Sequence, residues 1–395
     1  MTTALLLQTS RWRDAAHDAV LTAAARELDP VRVVAATVDP DRTRRRTGLP
    51  AIAADRSTVL RSLHSVDAVI LVGGRTLASA ASSNHVLGMA DVYALSVATR
   101  AAGKRFAMIG VAAGPLSTRR DMFFARRLMI TSSLAVLDEP SSADLLVAAG
   151  VPSPVRVGAH LGWLELQQPP ESASAESRDR RPALVGQPDR LPGEDLWFAM
   201  TRTGVEARGG AAAVAGQLAA IQAALVERRQ APAGVLVQGW RGGVASGDDL
   251  EAVAEVADEL RRYAVPVRVV PPAIALAEVR DAISRVALCV TGHPHALMAA
   301  SAAGVALIAW PHSPASRTLA EWLEVPTLPG SATGAVKDAF DRAGHTLPVV
   351  RQQIATAGEV VDLLRVVLTE GGELPRTATA GMAKDHRLRP TGVMR

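Results

Sequence analysis

Short runs of β-branched residues alternate with longer stretches rich in Ala, Leu and Arg along most of this chain. Strands that alternate with helices through short connections favour a parallel sheet covered by helices on both faces. In the first part of the chain we predict strands at residues 3–8, 31–38, 67–72, 105–109 and 134–137, with one more beginning at residue 155. Helices are predicted between them, at residues 14–28, 56–64, 86–102, 119–131 and 141–149.

A polar segment at residues 165–182 interrupts this alternation with Pro, Ser and charged residues, a composition typical of a linker. The alternation then resumes, with predicted strands at 183–186, 234–238, 266–270, 286–290 and 305–310 and helices at 211–229, 248–262, 275–284, 295–303 and 315–324. We therefore predict an α/β chain with two Rossmann-like domains, at residues 1–164 and 183–330, and a cleft between them. A helical region at 331–370, with a helix near 347–369, is expected to pack across both domains, and residues 371–395 are expected to be a disordered tail.

Composition and charge restrict the possible partners. The chain has 395 residues, more than one hydrophobic core usually contains, and a net charge of +4. Lysine occurs only at positions 104, 337 and 384, so most of the positive charge is Arg, which suits carboxylate and phosphate ligands. No long basic block is interleaved with aromatic residues, so nucleic acid is not expected as a partner. The densest basic run, at residues 42–46, is interpreted as a solvated loop.

The cellular setting is predicted from cysteine use and apolar stretches. The single cysteine, Cys289, lies in an apolar run, which excludes a disulfide framework. The apolar stretch near residue 5 is too short for a signal peptide. No window has the length and apolar character of a membrane span. We predict a cytoplasmic protein without an integral membrane segment.

Four glycine-containing loops directly follow predicted strands. Ligands of open parallel sheets bind beyond the carboxyl ends of the strands, and small residues there let a ligand approach the backbone. The candidate residues in these loops are Gly73, Gly74 and Arg75; Gly110 and Gly114; Trp240 and Arg241; and Gly292, His293 and His295. No metal-ligand spacing occurs in the sequence, so no metal site is predicted.

The loop at residues 291–295, TGHPH, has the most specific pattern of the four. Pro294 suits the first turn of the helix predicted after it, and the N–H groups at the start of that helix attract an anion. His295 falls in the same turn, where the helix dipole disfavours a charged imidazole. A neutral imidazole facing a cleft can accept a proton from a hydroxyl. A structural alternative stays open, in which His293 and His295 only cap the helix or pack at its end.

Several segments together resemble the polysaccharide pyruvyl transferases. Residues 286–326, VALCVTGHPHALMAASAAGVALIAWPHSPASRTLAEWLEVP, resemble the C-terminal signature of that family. Other similar segments are DAVILVGG at 67–74, KRFAMIGVAAGPLSTRR at 104–120, DEPSSADLLVAAGV at 138–151 and HDAVL at 17–21. The resemblance implies a glycosyltransferase-B-like pair of Rossmann domains. It also implies transfer of a pyruvyl group from phosphoenolpyruvate to a sugar hydroxyl of a cell-surface glycan or its precursor, with no cofactor.

Roles for particular residues follow from the loops and the resemblance together. His295 is the candidate catalytic base, because it falls at the start of a helix. The candidate residues for the anionic donor are Gly292, His293, Arg241, Arg317, Gly73, Gly74 and Arg75, with the arginines chosen because they lie on suitable loops. The candidate residues for the glycan acceptor are Gly110, Gly114, Trp240 and Trp310, since the two indole rings can stack on a sugar.

The chain also departs from the family pattern. His293 replaces an Arg, Asp138 lies near another family Arg position, Ala315 lies near a Lys position, and Ala159-His160 replace an acidic stretch. Two alternatives therefore stay open: a glycosyltransferase of the same architecture that uses a nucleotide sugar, and a non-catalytic member of the family that binds a ligand.

Overall fold

The computed structural model describes residues 2–9, 15–79, 86–152, 155–167, 196–239, 248–270, 275–328 and 331–369. These residues form two all-parallel sheets with helices on both faces of each. The predicted linker at 165–182 lies outside the described residues except for 165–167. The predicted strand at 183–186 and the predicted tail at 371–395 lie outside them entirely.

The N-terminal lobe is built on a seven-stranded sheet of order β3-β2-β1-β4-β5-β6-β7. Its strands are β1 Thr3–Leu7, β2 Arg32–Thr37, β3 Ala51–Ala53, β4 Ala68–Val72, β5 Arg105–Val111, β6 Leu134–Leu137 and β7 Arg156–Val157. Its helices are α1 Ala15–Glu27, α2 Pro40–Thr47, α3 Arg56–Ser62, α4 Met89–Ala101, α5 Arg119–Thr131, α6 Pro140–Ala148 and α7 Gly162–Leu166. Strands such as β4, which is buried along its whole length, explain why the sequence shows continuous apolar runs.

The C-terminal lobe is built on a five-stranded sheet of order β10-β9-β8-β11-β12. Its strands are β8 Leu196–Ala199, β9 Val235–Gln238, β10 Val267–Val270, β11 Leu288–Thr291 and β12 Ala306–Ala309. The helices are α8 Arg202–Ala207, α9 Ala211–Arg229, α10 Asp248–Arg262, α11 Leu276–Ile283, α12 Pro294–Ala303 and α13 Pro314–Trp322, followed by α14 Ala332–Asp341 and α15 Leu347–Thr369. The predicted fold class, two Rossmann-like parallel-sheet domains, is confirmed.

Two local predictions are wrong. The basic run at 42–46 is not a loop but part of α2, because the residues around it define a helix. The Asp39 side chain accepts a hydrogen bond from Arg42 N at 3.1 Å, Pro40 begins the helix, and Gly48 ends it with φ of 71°. The sequence prediction also missed β8, the central strand of the second sheet, because an apolar run of four residues does not distinguish a strand from a helix.

Helix α15 joins the two lobes. It packs on α7 and on β5 and β6 of the N-terminal lobe, and on α12 of the C-terminal lobe. Leu364 of α15 is fully buried in an apolar cluster that also contains Leu161 and Trp163 from one lobe and Leu276 and Met298 from the other. The lobes are therefore in direct apolar contact around α7 and α15. Within the described residues, no helix combines the length and the apolar character needed to cross a bilayer.

Candidate functional site between the lobes

Each sheet has one position where the strand order reverses. In the N-terminal lobe this switch point lies between β1 and β4, and in the C-terminal lobe between β8 and β11. The loops that leave the two strands at such a position diverge and leave a crevice, which is where open α/β sheets bind ligands. Gly73 and Gly74 follow β4, whereas Thr201 and Gly292 come after β8 and β11.

The loop between β11 and α12 is fixed by short polar contacts. Thr291 Oγ1 donates a hydrogen bond to the Ala199 carbonyl at 2.6 Å and accepts one from His293 N at 3.0 Å. A Cβ at Gly292 would lie 2.3 Å from the Trp310 carbonyl oxygen and 2.7 Å from His312 Nδ1. Only glycine therefore fits at position 292 without displacing the backbone of the loop after β12.

The amino end of α12 lies at the switch point of the C-terminal sheet. His293 is the residue before the helix, its side chain makes no capping hydrogen bond, and Pro294 occupies the first turn. Thr291, Gly292 and His293 are buried, while Pro294 and His295 keep part of their surface exposed. The first turn of α12 therefore has N–H groups that the His293 side chain does not cap, next to a half-buried imidazole, as suits an anionic group.

Three histidines meet where the lobes touch. The His295 ring lies 5.2 Å from the ring of His160, which follows β7 of the N-terminal lobe, and 5.3 Å from the ring of His293. His160 is held in place because its Nδ1 accepts a hydrogen bond from Gly162 N at 3.1 Å. In the described part of the chain, no group of three or more His, Cys, Asp or Glu side chains is arranged to hold a metal ion.

The N-terminal lobe contributes a glycine turn and a guanidinium group. Gly73 and Gly74 both have positive φ, 65° and 78°, which is a conformation that favours glycine. Gly73 packs against Val20 and near the Gly110 carbonyl, and Gly110 in turn packs on Leu161, directly after His160. Gly73, the buried Gly110 and Leu161 are therefore neighbours in the fold, and His160, directly before Leu161, contacts His295.

Arg75 and Asp138 form the other part of this edge. The Arg75 side chain lies over Gly114, where an added Cβ would be 2.9 Å from the Arg75 Cδ. Asp138 follows β6, and its buried Oδ1 has no hydrogen-bond partner. Burial raises the pKa of Asp138 well above its ordinary value; the negative charge of Glu139 adds to this effect and the positive charge of Arg75 opposes it. A carboxyl group with such a pKa stays protonated further toward neutral pH and can donate a hydrogen bond.

A second polar group lies at the carboxyl end of β12. Thr201 Oγ1 and His312 Nε2 are hydrogen-bonded at 3.1 Å. Arg208 donates a hydrogen bond to the Pro311 carbonyl and lies over the Trp310 ring, with its Cζ 5.6 Å from the ring centroid. Burial, and then the positive charge of Arg317, lower the pKa of Arg208. This part of the site is positively charged.

The structure brings some of the predicted site residues together and leaves others apart. It brings His295 and His293 to the interlobe contact, links Gly73 to Gly110, and lays Arg75 over Gly114. Arg317 is instead exposed on α13 near Arg208. Trp240 and Arg241 lie outside the described residues.

The prediction for Trp310 requires correction. Its side chain is only 1% exposed and packs with Phe198 in the apolar core of the C-terminal lobe. The ring is covered by Arg208 and cannot stack on a sugar in an open cleft.

The sequence reasoning missed several residues that the fold brings to these edges. His312 lies three residues after the end of β12, so the strand-end argument used for the other loops also applies to it. Thr201 was missed because β8 was missed. His160 and Asp138 were noted only as departures from a family pattern, and no local signal in the sequence shows that His160 faces His295 of the other lobe.

No protein-family model matches this chain, and no curated protein matches it in sequence. Solved structures match it over nearly its whole length. The UDP-GlcNAc 2-epimerase of Neisseria meningitidis, solved with bound UDP-GlcNAc, is 12% identical, covers 93% of this chain and 100% of its own, and has a TM-score of 0.60.

The UDP-GlcNAc 2-epimerase of Methanocaldococcus jannaschii is 13% identical, with 92% of this chain and 99% of its own covered and a TM-score of 0.61. Anabaena HepE, solved in complex with UDP-glucose, is 13% identical, with 93% and 95% covered and a TM-score of 0.54. The fold is GT-B-like. At these identities the similarity shows the fold alone.

The predicted membership of the polysaccharide pyruvyl transferases is wrong, because the neighbours are UDP-GlcNAc 2-epimerases and no family model matches. The predicted phosphoenolpyruvate donor and the predicted pyruvyl transfer are withdrawn with it. The physical reason lies in the segments that carried the resemblance. Each is a strand, a glycine turn and a helix, a pattern that any Rossmann-like lobe repeats in the same order.

Proposed function

We propose that this chain binds a nucleoside diphosphate sugar between its lobes and transfers the glycosyl group to a hydroxyl acceptor. The observation that carries the proposal is the amino end of α12, which the preceding residue His293 does not cap and which lies beside His160 at the contact between the lobes. The similarity to solved proteins with bound UDP-GlcNAc or UDP-glucose supports a nucleotide sugar as the ligand of this fold.

The diphosphate is assigned to the first turn of α12. Helix N–H groups bind phosphate well, and the residue before α12, His293, does not cap them with its own side chain. Gly292 holds the loop before α12 close against the loop after β12, because the Cβ of any larger residue would collide with the Trp310 carbonyl. When the bond between the sugar and the diphosphate breaks, the negative charge that develops on the leaving oxygen is stabilised by the same N–H groups.

His295 is assigned as the general base. It accepts the proton of the acceptor hydroxyl while the acceptor oxygen forms a bond to the anomeric carbon. The bond between that carbon and the diphosphate oxygen breaks with its electron pair going to the nucleoside diphosphate. His160 lies against His295 from the opposite lobe and orients its ring.

A second candidate is epimerisation at carbon 2 of the nucleotide-bound sugar. This alternative is supported by two of the similar structures, which are UDP-GlcNAc 2-epimerases. Epimerisation requires no acceptor, whereas glycosyl transfer does. Incubating the protein with UDP-GlcNAc, first alone and then with an added glycan, therefore separates the two. A new sugar epimer without glycan indicates epimerisation, and UDP release that depends on the glycan indicates transfer.

Ligand binding tests the shared part of the proposal. We expect UDP, UDP-GlcNAc or UDP-glucose to raise the melting temperature, because a ligand at about 100 times its Kd stabilises the folded state by about 2.7 kcal/mol. Uridine, which has no phosphate, should have little effect. An unchanged melting temperature with all three nucleotides at millimolar concentration would refute the proposal.

Two glycine variants locate the site. Gly292→Ala should weaken UDP binding at least about tenfold in calorimetric titration, since the new Cβ displaces the loop that carries α12. Gly358→Ala is the matched control: it adds the same methyl group inside α15, where nothing lies within 4 Å, and should leave UDP binding unchanged.

The role of His295 as general base is tested by its substitution. His295→Ala should retain UDP binding and lower the turnover rate by about 100-fold or more.

A further inference from the structure

Helix α5 presents an unusual solvent-facing surface in which bulky apolar groups lie between arginines. Phe123 is 49% exposed and Ile130 is 46% exposed. The α5 face comprises these two side chains and the exposed residues Arg119, Arg120, Arg126 and Arg127. Exposed apolar groups of this size, rimmed by polar residues, mark interaction sites when they cluster.

The helical geometry arranges the α5 face as a ridge with basic flanks. At about 100° per residue, Phe123 and Ile130 lie within roughly 20° of each other around the helix axis. Arg119 and Arg126 fall on one side of that ridge, and Arg120 and Arg127 fall on the other. The buried residues Ala125 and Leu128 point the opposite way, into the lobe.

Aromatic residues are concentrated here although they are scarce in the chain. The sequence contains five phenylalanines and two tyrosines. Phe123, Phe124 and Tyr93 of α4 contact one another with ring centroids 5.4 to 6.4 Å apart. Val97 of α4, 44% exposed, lies one turn after Tyr93. The α5 face is thus an aromatic cluster with an open apolar side.

The positive charge of the α5 face is not neutralised within the described part of the chain. None of its four arginines forms an ion pair there; Arg120 and Arg127 instead lie over the rings of Phe124 and Phe123, at 5.6 and 5.4 Å. The one acidic residue of the helix, Asp121, caps its amino end, and its Oδ2 accepts hydrogen bonds from Ser79 Oγ and Thr118 N. The hydrogen bond from Ser79 and, to a smaller extent, the charge of Arg120 lower the pKa of Asp121. The guanidinium groups of Arg119, Arg126 and Arg127 remain available to an external anion.

We propose that the α5 face binds an anionic lipid bilayer peripherally. Guanidinium groups on both sides of the ridge match headgroup phosphates, and Phe123 and Ile130 reach the boundary between headgroups and acyl chains. A second copy of the chain fits less well, because a two-fold interface would place these arginines against each other. An acidic protein would match the positive charge, but charge alone does not account for the exposed Phe123 side chain, which a protein partner would have to receive in an apolar pocket.

Vesicle flotation of the full-length chain tests this assignment. The protein should float with vesicles of phosphatidylcholine and phosphatidylglycerol, stay in the bottom fraction with phosphatidylcholine alone, and be released at high salt. The double variant R126E/R127E should lower the partition coefficient at least about tenfold, since each basic residue near an anionic surface contributes about 1 kcal/mol, a factor of about five. The variant F123S/I130S should lower it by about tenfold as well, by removing apolar insertion.

A charge-matched control comes from α10. The variant R261E/R262E also reverses two adjacent exposed arginines on a helix and should keep vesicle binding. Circular dichroism melting should show all three variants folded. Loss of binding in the control, or no difference between the two vesicle compositions, would overturn the proposal. Sedimentation that shows a dimer dissociated by F123S/I130S, or binding to polyglutamate without binding to vesicles, would assign the α5 face to a protein partner and also overturn it.

Discussion

Asp138 has a carboxyl group in a setting that favours its neutral form. Burial and the neighbouring Glu139 raise its pKa, and its Oδ1 has no hydrogen-bond partner. A carboxyl group whose pKa is higher in the folded state contributes stability that is complete below its unfolded pKa, near 4. That contribution is lost as the pH rises through the folded value. Asp138 therefore reduces the free energy of unfolding at neutral pH.

Asp138→Asn should remove this loss. We expect the variant to gain about 1 kcal/mol or more in free energy of unfolding at neutral pH, and little below pH about 4, because an amide needs no proton to remain neutral. Urea unfolding across this pH range measures the difference. Asp144→Asn on the neighbouring α6 is the control, since Asp144 is exposed and its substitution should leave the profile unchanged. Equal pH profiles for wild type and Asp138→Asn would contradict the prediction.

At the scale of single residues, the sequence predicts which loops lie at the carboxyl edge of a sheet, but it does not predict which side chains contact each other across the lobes. Gly292 and His295 follow a strand that is legible from its apolar run, so their position at the carboxyl edge could be predicted. The contact between His160 and His295 joins residues far apart in the sequence, and no local pattern records it. Trp310 shows the opposite failure, since a strand-end aromatic residue can pack inward as easily as outward.

At the scale of elements, long helices with an apolar period can be predicted from the sequence, whereas short strands cannot. Helix α15 covers residues 347–369, as its pattern predicts, whereas β3, with three residues, and β8, with four, give too little sequence for a period to appear. The charged residues of α2 led to the prediction of a loop, although Asp39, Pro40 and Gly48 mark the ends of a helix. Capping residues were the better guide to this helix.

Helix α15 also allows a test of how the lobes are joined. Leu364 is fully buried within the cluster shared by both lobes, so Leu364→Ala should lower the free energy of unfolding by about 2–5 kcal/mol. Leu145→Ala on α6 is the matched control, because Leu145 is 42% exposed and its truncation should cost less than about 0.5 kcal/mol. Chemical denaturation of both variants checks this. Similar losses in the two would contradict a buried role for Leu364.

At the scale of the whole molecule, the two parallel sheets were predictable because alternating strands and helices permit few other topologies. The approach of the lobes was not, because it depends on α7, five residues long, which packs on α1, α11, α12 and α15 together. The sequence of α7 contains Trp163 and Leu166, but nothing in it identifies four partners.

The interlobe contact can be measured by a double-mutant cycle. His160→Ala and His295→Ala should be non-additive in free energy of unfolding by about 0.5 kcal/mol or more, because their rings contact each other across the lobes. The control pair is His160→Ala with His345→Ala, since His345 is exposed near the start of α15 and its effect should add. Additivity in the first pair would contradict an energetic contact between the two rings.

Helix α15 covers apolar groups of the N-terminal lobe, and this has a consequence for synthesis of the chain. Val360 of this helix fills the space directly over Gly158 and Val136 of the N-terminal lobe, where an added Cβ at Gly158 would lie 2.4 Å from it. A ribosome produces α15 only after both sheets have emerged. The nascent N-terminal sheet therefore keeps an uncovered apolar flank until α15 has been translated, and transiently exposed apolar surface of this kind favours aggregation during synthesis.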